Sequence, residues 1–382
     1  MKLWNPANDV TVFERNKKGV THGWGVTMER RFLGRLAELD PESAAEIAAR
    51  SVGWHEQAVE INGGREVNRD NGDAHGVSRQ RFVDILAARA TGLGVDIRYE
   101  QDISDTAQLP EADLILAADG ASSQLRGSRA QFCTRVTEGR NKYIWLGTGK
   151  VWDAFNFFFV PTEAGWIWAH AYPHEPMTST FIVECEERTW AALGFADASP
   201  SRTCDMLEQI FADQLGGRRL WTQFPDGMDA RWLNFRTVSN ERWYHDNVVL
   251  AGDSAHTAHF SVGLGTTLAV EDVIALAGQL RRADNRTADG IGAALAAYQG
   301  QRQAELRLHA IEAQRSALWL ENVSHYTDLS SRQFAAVLHA RRAPLLLKLP
   351  PRLFCLLHEI RRRSTALDTV RGGLVRSGLA RG

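Results

Sequence analysis

Val248 to Leu268 reads VVLAGDSAHTAHFSVGLGTTL, and this stretch decides the fold. A short apolar run, Asn247 to Ala251, has the texture of a strand buried on both faces. It ends at Gly252-Asp253, where a carboxylate stands at a strand terminus and can accept from a ligand hydroxyl. Gly263-Leu264-Gly265-Thr266 then opens a helix predicted over Thr266 to Leu280. The free N–H groups and positive dipole of such a helix start suit a carbonyl or a phosphate. Asp253, Ser254 and His256 include the residue types of a hydrolytic triad, but adjacency is not triad geometry and no nucleophile elbow is present. His256 and His259 lack a third ligand at metal spacing, so no metal site is expected.

The same pattern recurs upstream. Ala112 to Arg126 reads ADLILAADGASSQLR: a buried strand, Ala112 to Ala118, running into Asp119-Gly120. Gly120 permits a tight turn where a ligand approaches, and Ser123 and Arg126 stand at pyrophosphate reach. Asp9 to Phe13 is a short strand ending in Glu14, the position at which a dinucleotide fold holds the adenosine ribose. In that fold the acid follows a GxGxxG loop by about 20 residues, which places the loop before Met1. Gly23-Trp24-Gly25 is no substitute, since it follows the acid.

Between these segments the texture changes. Lys142 to Gly147, Phe155 to Val160, Trp166 to Tyr172 and Ser179 to Cys185 are aromatic and β-branched runs separated by turn residues, as in an antiparallel sheet. Helices are predicted over Ser78 to Ala90, Cys204 to Leu215 and Gly292 to Leu320, and a strand over Val95 to Tyr99. The fold class is therefore α/β: a Rossmann-like nucleotide-binding fold with an inserted antiparallel β-sheet substrate layer and a C-terminal helical region. The expected divisions are 1–138 and 239–325 for the two parts of the binding domain, 139–238 for the sheet domain and 326–382 for a basic helical segment.

Composition bounds the function. The chain has 382 residues, 44% hydrophobic and 24% charged, an ordinary globular balance with room for a large core. A net charge of −2 excludes a nucleic-acid binder by charge alone. From Leu338 to Gly382, however, ten Arg or Lys face two acids, leaving that tail at +8. It reads as solvated helices, or as a surface for a membrane, a phosphate-bearing substrate or an acidic carrier. Four scattered cysteines without a CxxC pair fit a reducing compartment. With no apolar leader in the first thirty residues and no apolar run of spanning length, a cytoplasmic protein is expected. Twelve tryptophans, clustered between Trp145 and Trp243, serve either a core or a pocket for a flat ligand.

These pieces resemble the single-component FAD-dependent aromatic hydroxylases, relatives of p-hydroxybenzoate hydroxylase. Glu14, Asp119-Gly120 and Gly252-Asp253 stand where that family contacts its flavin, and Arg79 in Val77-Ser78-Arg79 matches the arginine that reaches the flavin phosphates. Gly139 to Trp145 (GRNKYIW), His170-Ala171-Tyr172, Ser179 to Cys185 (STFIVEC) and Ala258 to Gly263 (AHFSVG) are similar to a narrower branch. That branch includes salicylyl-CoA 5-hydroxylase, anthraniloyl-CoA monooxygenases and the violacein-pathway tryptophan-derived hydroxylase. The resemblance covers residues 5 to 340. Residues Met1 to Asn8 look like the end of the family's first helix, so the expectation is that the chain starts at an internal methionine.

The resemblance implies FAD as cofactor, NAD(P)H as co-substrate and hydroxylation of an electron-rich aromatic ring by a flavin C4a-hydroperoxide. It assigns cofactor binding to Glu14, Arg79, Asp119, Gly120, Arg126, Gly252, Asp253, Gly263, Gly265 and Thr266. Trp145, Phe157, Trp168 and Phe181 are the expected wall of the substrate pocket, with His170 and His259 the candidate bases that polarise a ring hydroxyl or amine. The substrate is a small aromatic molecule, a CoA- or carrier-bound benzoate or anthranilate type or an indole. Two alternatives stay open: a remnant that does not bind FAD, and a flavoenzyme oxidase or epoxidase.

Overall fold

A computed structural model describes residues 1–69, 73–223, 231–283, 287–343, 349–357 and 360. One half of the molecule is a mainly parallel sheet in two pieces. Thr11–Glu14 pairs in parallel with Asp96–Tyr99. Val248–Leu250 pairs in parallel with Ile115–Ala117 and antiparallel with Tyr244–His245. All three residues of Val248–Leu250 are buried, which is why that run carries no polar alternation. The upstream run is shorter than its apolar sequence, since only Ile115–Ala117 forms ladder bonds. Two helices, Gly265–Arg282 and Ala288–Leu320, cover this sheet through Leu268, Leu276, Leu280, Leu295 and Tyr298. A small antiparallel sheet of Gly25–Glu29, Ala74–Ser78 and Val52–Trp54 packs beside helices Arg30–Leu39, Pro41–Ala49 and Arg79–Gly92.

The second half is an eight-stranded sheet. Its order runs Leu220–Trp221, Thr134–Thr148, Thr178–Cys185, Gly165–Glu175, Phe155–Thr162, Gln57–Ile61, Gly64–Asn68, with Leu233–Asn240 also paired to Thr134–Thr148. The four aromatic runs expected to form an antiparallel sheet are consecutive neighbours in it. Two features differ from the expectation. Gln57–Ile61 and Gly64–Asn68 come from the 1–138 stretch yet join this sheet, and Phe155–Thr162 pairs with Gln57–Ile61 in parallel, so the sheet is mixed. In Gln57–Ile61 the neighbours Ala58 and Val59 are both buried, which marks a strand covered on both sides.

Both faces of the large sheet are buried, by different partners. Phe157, Phe159 and Trp168 meet Trp319, Phe334, Val337 and Leu338. Phe158, Ile167, Phe181 and Val183 meet Leu207, Phe211 and Leu215. The latter come from helices Pro200–Ile210 and Ala212–Leu215, a break at Phe211 in what reads as one helix. The 33-residue helix Ala288–Leu320 spans about 50 Å and joins the halves: Leu295 and Tyr298 sit in the core beside the parallel strands, Trp319 and Leu320 under the large sheet. Helix Ser331–His339 belongs to the same packing, so the C-terminal segment begins as core. Most of the basic tail, 344–348, 358–359 and 361–382, lies outside the described residues. Among the described residues no helix is long and apolar enough to cross a membrane.

Candidate active site

The Gly252-Asp253 turn is held from below. Gly252 has φ +64°, a conformation that glycine adopts without strain, and its N–H donates to Asp272 Oδ2 at 2.8 Å. Asp272, fully buried, also binds His256 Nε2 (2.8 Å) and accepts from Arg302 Nε (2.8 Å). The Ser254 hydroxyl donates to the Ala117 carbonyl at 2.6 Å, tying this turn to the upstream strand. Ser254 and His256 are thus spent on the scaffold, and no triad forms with Asp253. Asp253 itself stays exposed and makes no hydrogen bond or ion pair among the described residues. The protein packed around it pushes its carboxyl above the usual carboxylate range, against the opposing charges of Arg79 and His256.

The helix start beside it is open. Gly263, at φ +68°, approaches Thr27 so closely that a Cβ would lie 2.8 Å from Thr27 Oγ1, and that hydroxyl donates to the Gly263 carbonyl. A Cβ on Gly265 would meet nothing within 4 Å. Leu264 at the N-cap supplies no side-chain acceptor and the first turn has no acid, so the N–H groups around Gly265 and Thr266 lack a cap. The buried Thr267 hydroxyl has no partner either.

The Asp119-Gly120 turn behaves differently. Gly120 has φ +83° and open space at its Cβ position. Asp119 Oδ2 accepts from the Leu125 N–H (3.2 Å) and Ser123 Oγ from the Arg126 N–H (3.0 Å), so both cap the short helix Gln124–Gly127. Arg126 corrects its expected role. It is 5% exposed and its two terminal nitrogens donate to the carbonyls of Ser254 (3.0 Å) and Ala121 (2.7 Å). It bolts the two turns together and presents no free guanidinium to a pyrophosphate. Glu14 Oε1 accepts from the backbone and side chain of Asn16 at its strand end.

Arg79 opens helix Arg79–Gly92, with its N–H on the Trp24 carbonyl (2.7 Å). A Cβ built on Gly23 would sit 3.7 Å from Arg79 Cδ and 3.6 Å from the Trp145 ring, which brings both side chains to one place. Tyr143 senses the Asp253 charge and its ring lies 4.8 Å from Phe260. The carboxylate, the arginine and an aromatic face therefore converge.

The expected four-residue wall is split by strand alternation. Trp145, Phe157 and Trp168 share one face of the large sheet with Tyr143, His170 and Tyr172. Phe181 points to the other face, against Trp152 and Phe211, and cannot line the same pocket. Phe157 and Trp168 are buried beneath the surface, whereas Trp145 is half-buried with its indole N–H unpartnered. Tyr143, Phe155 and Phe260, partly open rings packed around Trp145 and Tyr172, are further candidates for that wall which sequence reasoning missed. For Tyr143 the available signal was its place two residues before Trp145 on one strand, and for Phe260 its place within the AHFSVG segment; for Phe155 only strand register gave it.

His170 is 1% exposed among Phe155, Phe157 and Phe260, and burial pushes its imidazole down against the pull of Glu184. His259 stacks near Phe260 (4.4 Å) and Phe235 (4.7 Å), binds Ser261 Oγ through Nδ1 (2.8 Å), and is pushed down to about 4 by burial. Both rings are neutral at neutral pH. Among the described residues no cluster of three metal-ligating side chains occurs.

A family model described as FAD binding domain matches residues 21–308. Salicyloyl-CoA 5-hydroxylase of a Streptomyces species is 34% identical over 335 residues, 85% of this chain and 63% of that protein, so the match spans less than two thirds of that relative's length. Protodeoxyviolaceinate monooxygenase of Chromobacterium violaceum is 30% identical over 357 residues, 90% of this chain and 91% of the relative. Among solved structures, 2-methyl-3-hydroxypyridine-5-carboxylic acid oxygenase superposes with a TM-score of 0.66 at 18% identity, covering 93% of this chain and 91% of the other.

Proposed function

The chain belongs to the FAD-binding domain family, and from that membership we propose that it is a flavin-dependent monooxygenase hydroxylating an electron-rich aromatic ring. The observation that carries this reading is the convergence of an unpaired, water-reachable carboxylate, an uncapped helix start and an aromatic face bearing neutral histidines. The residues fit a flavin: Asp253 and the N–H groups around Gly265 and Thr266 have unsatisfied hydrogen-bonding capacity, and Gly120 and Gly265 leave room for a ligand. Asp253 would accept from a flavin hydroxyl, the helix start would meet a flavin carbonyl and Arg79 would meet a phosphate. When bound, the flavin supplies oxygen transfer from O₂ with electrons from NAD(P)H.

The chain's own part is positioning, proton handling and water exclusion. Tyr143, Trp145, Phe155 and Phe260 offer faces against which a planar ring stacks. His170 or His259, held neutral, accepts the proton of a ring hydroxyl or amine and so raises the electron density at the attacked carbon. The buried carboxylate on this face is Glu184, and the buried Arg341 guanidinium already donates to Ser316, Leu338 and Ser261. Such a site disfavours a ring with a free carboxylate and favours one whose carboxyl is a thioester, CoA- or carrier-bound, or an indole.

The test is flavin absorbance in the purified protein, then NAD(P)H consumption with salicyloyl- and anthraniloyl-type thioesters, their free acids and indoles under isotopically labelled dioxygen. The expected result is one labelled oxygen in the product, with thioester or indole preferred over free acid. Peroxide without a labelled product would replace this reading by an oxidase. Folded protein that takes up no added FAD would replace it by a non-catalytic remnant.

A further inference from the structure

Glu184 lies in strand Thr178–Cys185 and is 1% exposed. Removing a carboxylate from water costs several kcal/mol, so a charged one persists only where donors and cations compensate. Here Oε1 accepts from Asn141 Nδ2 (2.8 Å) and Oε2 from Trp168 Nε1 (3.1 Å). Oε2 also lies 3.4 Å from His170 Nε2, an ion-pair distance, and that buried nitrogen makes no hydrogen bond to any other described group. The remaining groups that face it are His259 from the AHFSVG segment, Arg341 beyond helix Ser331–His339 and the Tyr143 hydroxyl of strand Thr134–Thr148. Burial raises the Glu184 carboxyl, but the donors His170 and Asn141, joined by His259 once it is charged, outweigh burial and hold the group below the usual carboxylate range.

A neutral imidazole has one donor and one acceptor nitrogen. Around His170 the ring neighbours are Phe155, Phe157 and Phe260, none of which selects between the two tautomers, while Arg341 and His259 act on it through charge at a distance. A carboxylate oxygen beside Nε2 does select: it attracts a proton there and repels a lone pair.

We propose that Glu184 is a positioning residue that holds His170 in the Nε2–H tautomer, leaving Nδ1 to accept the proton from the substrate's ring hydroxyl or amine. The inference rests on the hydroxylase reading for its substrate but not for the tautomer. The O–H or N–H bond of the substrate breaks, an N–H bond forms at Nδ1, and the resulting imidazolium is paired with Glu184 until the proton is released to solvent. Arg341, whose guanidinium lies 5.4 Å from the Phe157 ring centroid, offsets the buried negative charge through its own charge.

The direct measurement is nitrogen NMR of the holoprotein labelled at histidine, with the His170 signal identified by its loss in His170→Gln. Wild type should show Nε2 protonated and Nδ1 bare, and Glu184→Gln should show a mixture. In turnover, Glu184→Gln should lower kcat by about ten- to a thousandfold, at unchanged flavin content, and move the acid limb of the kcat profile to lower pH because the histidine loses its stabilising anion. Glu184→Asp should recover part of kcat. In a His170→Gln background Glu184→Gln should cost nothing further, since the two act as one unit. An Nδ1–H tautomer in wild type, or equal losses from Glu184→Gln with and without His170, would overturn the proposal. If Glu184→Gln does not fold, the wild-type tautomer still decides. If wild type hydroxylates no arene, the function reading fails separately, and the tautomer still establishes or refutes the role of Glu184.

Discussion

Asp253 and Phe181 show how differently two candidate residues are placed. Asp253 is exposed, unpaired among the described residues and flanked by Arg79, so its removal disturbs no internal contact. Asp253→Ala should leave stability within about 0.5 kcal/mol but weaken FAD binding by about ten- to a hundredfold, the worth of a hydrogen bond to a charged group. Flavin fluorescence titration and a urea midpoint check the two halves. Phe181 sits in the core on the opposite side of the sheet from Trp145. Phe181→Leu should therefore cost about 1 kcal/mol or more of stability without changing substrate preference. Trp145→Leu should do the reverse, raising KM with little loss of stability. A shift in substrate preference in Phe181→Leu would refute this division of the sheet.

At the scale of elements, the site is a set of turns that other elements hold in place. Helix Gly265–Arg282 contributes its uncapped start to the cleft and, two turns later, Asp272 to the underside of the Gly252 turn. The long helix sends Arg302 into the same carboxylate, and Arg126 clamps the Asp119-Gly120 and Gly252–Ser254 turns from behind. A buried charge left alone is costly, so Arg302→Leu should destabilise by about 3–5 kcal/mol, read as a lower urea midpoint. It should also weaken FAD binding although Arg302 lies behind the turn. Added FAD should restore part of the lost midpoint, because a ligand that binds only the folded state stabilises it.

Across the whole molecule, two halves share one long helix and one buried polar layer. His259 and His174 are both pushed down to about 4 by burial, from an ordinary value near 6.5. With the folded value depressed, the unfolded chain binds more protons between these pH values. Stability is therefore full above about pH 6.5 and falls as the pH drops toward 4, by on the order of 3 kcal/mol for each histidine. Urea midpoints at pH 7.5 and 4.5 should differ accordingly, and His259→Asn should reduce the difference. A flat profile would mean that these rings reach water in solution.

The local signals in the chain determined a good deal. Gly252, Gly263 and Gly120 announce turns because their backbones occupy the left-handed region, and a buried run ending in an acid announces a strand terminus. Aromatic and β-branched runs between turn residues mark a sheet, and the AHFSVG and GRNKYIW segments carry the family. These are properties of neighbours in sequence, and sequence displays neighbours. The tertiary structure alone decided which face each aromatic residue takes, that Gln57–Ile61 crosses into the large sheet, and that Arg126 and Arg341 spend their guanidiniums on carbonyls and a serine. It also decided that Glu184, an ordinary acid in an apolar strand, meets Asn141, Trp168 and His170. Those partners lie on other strands, and strand register, not spacing along the chain, sets which polar atoms are shut away from water together.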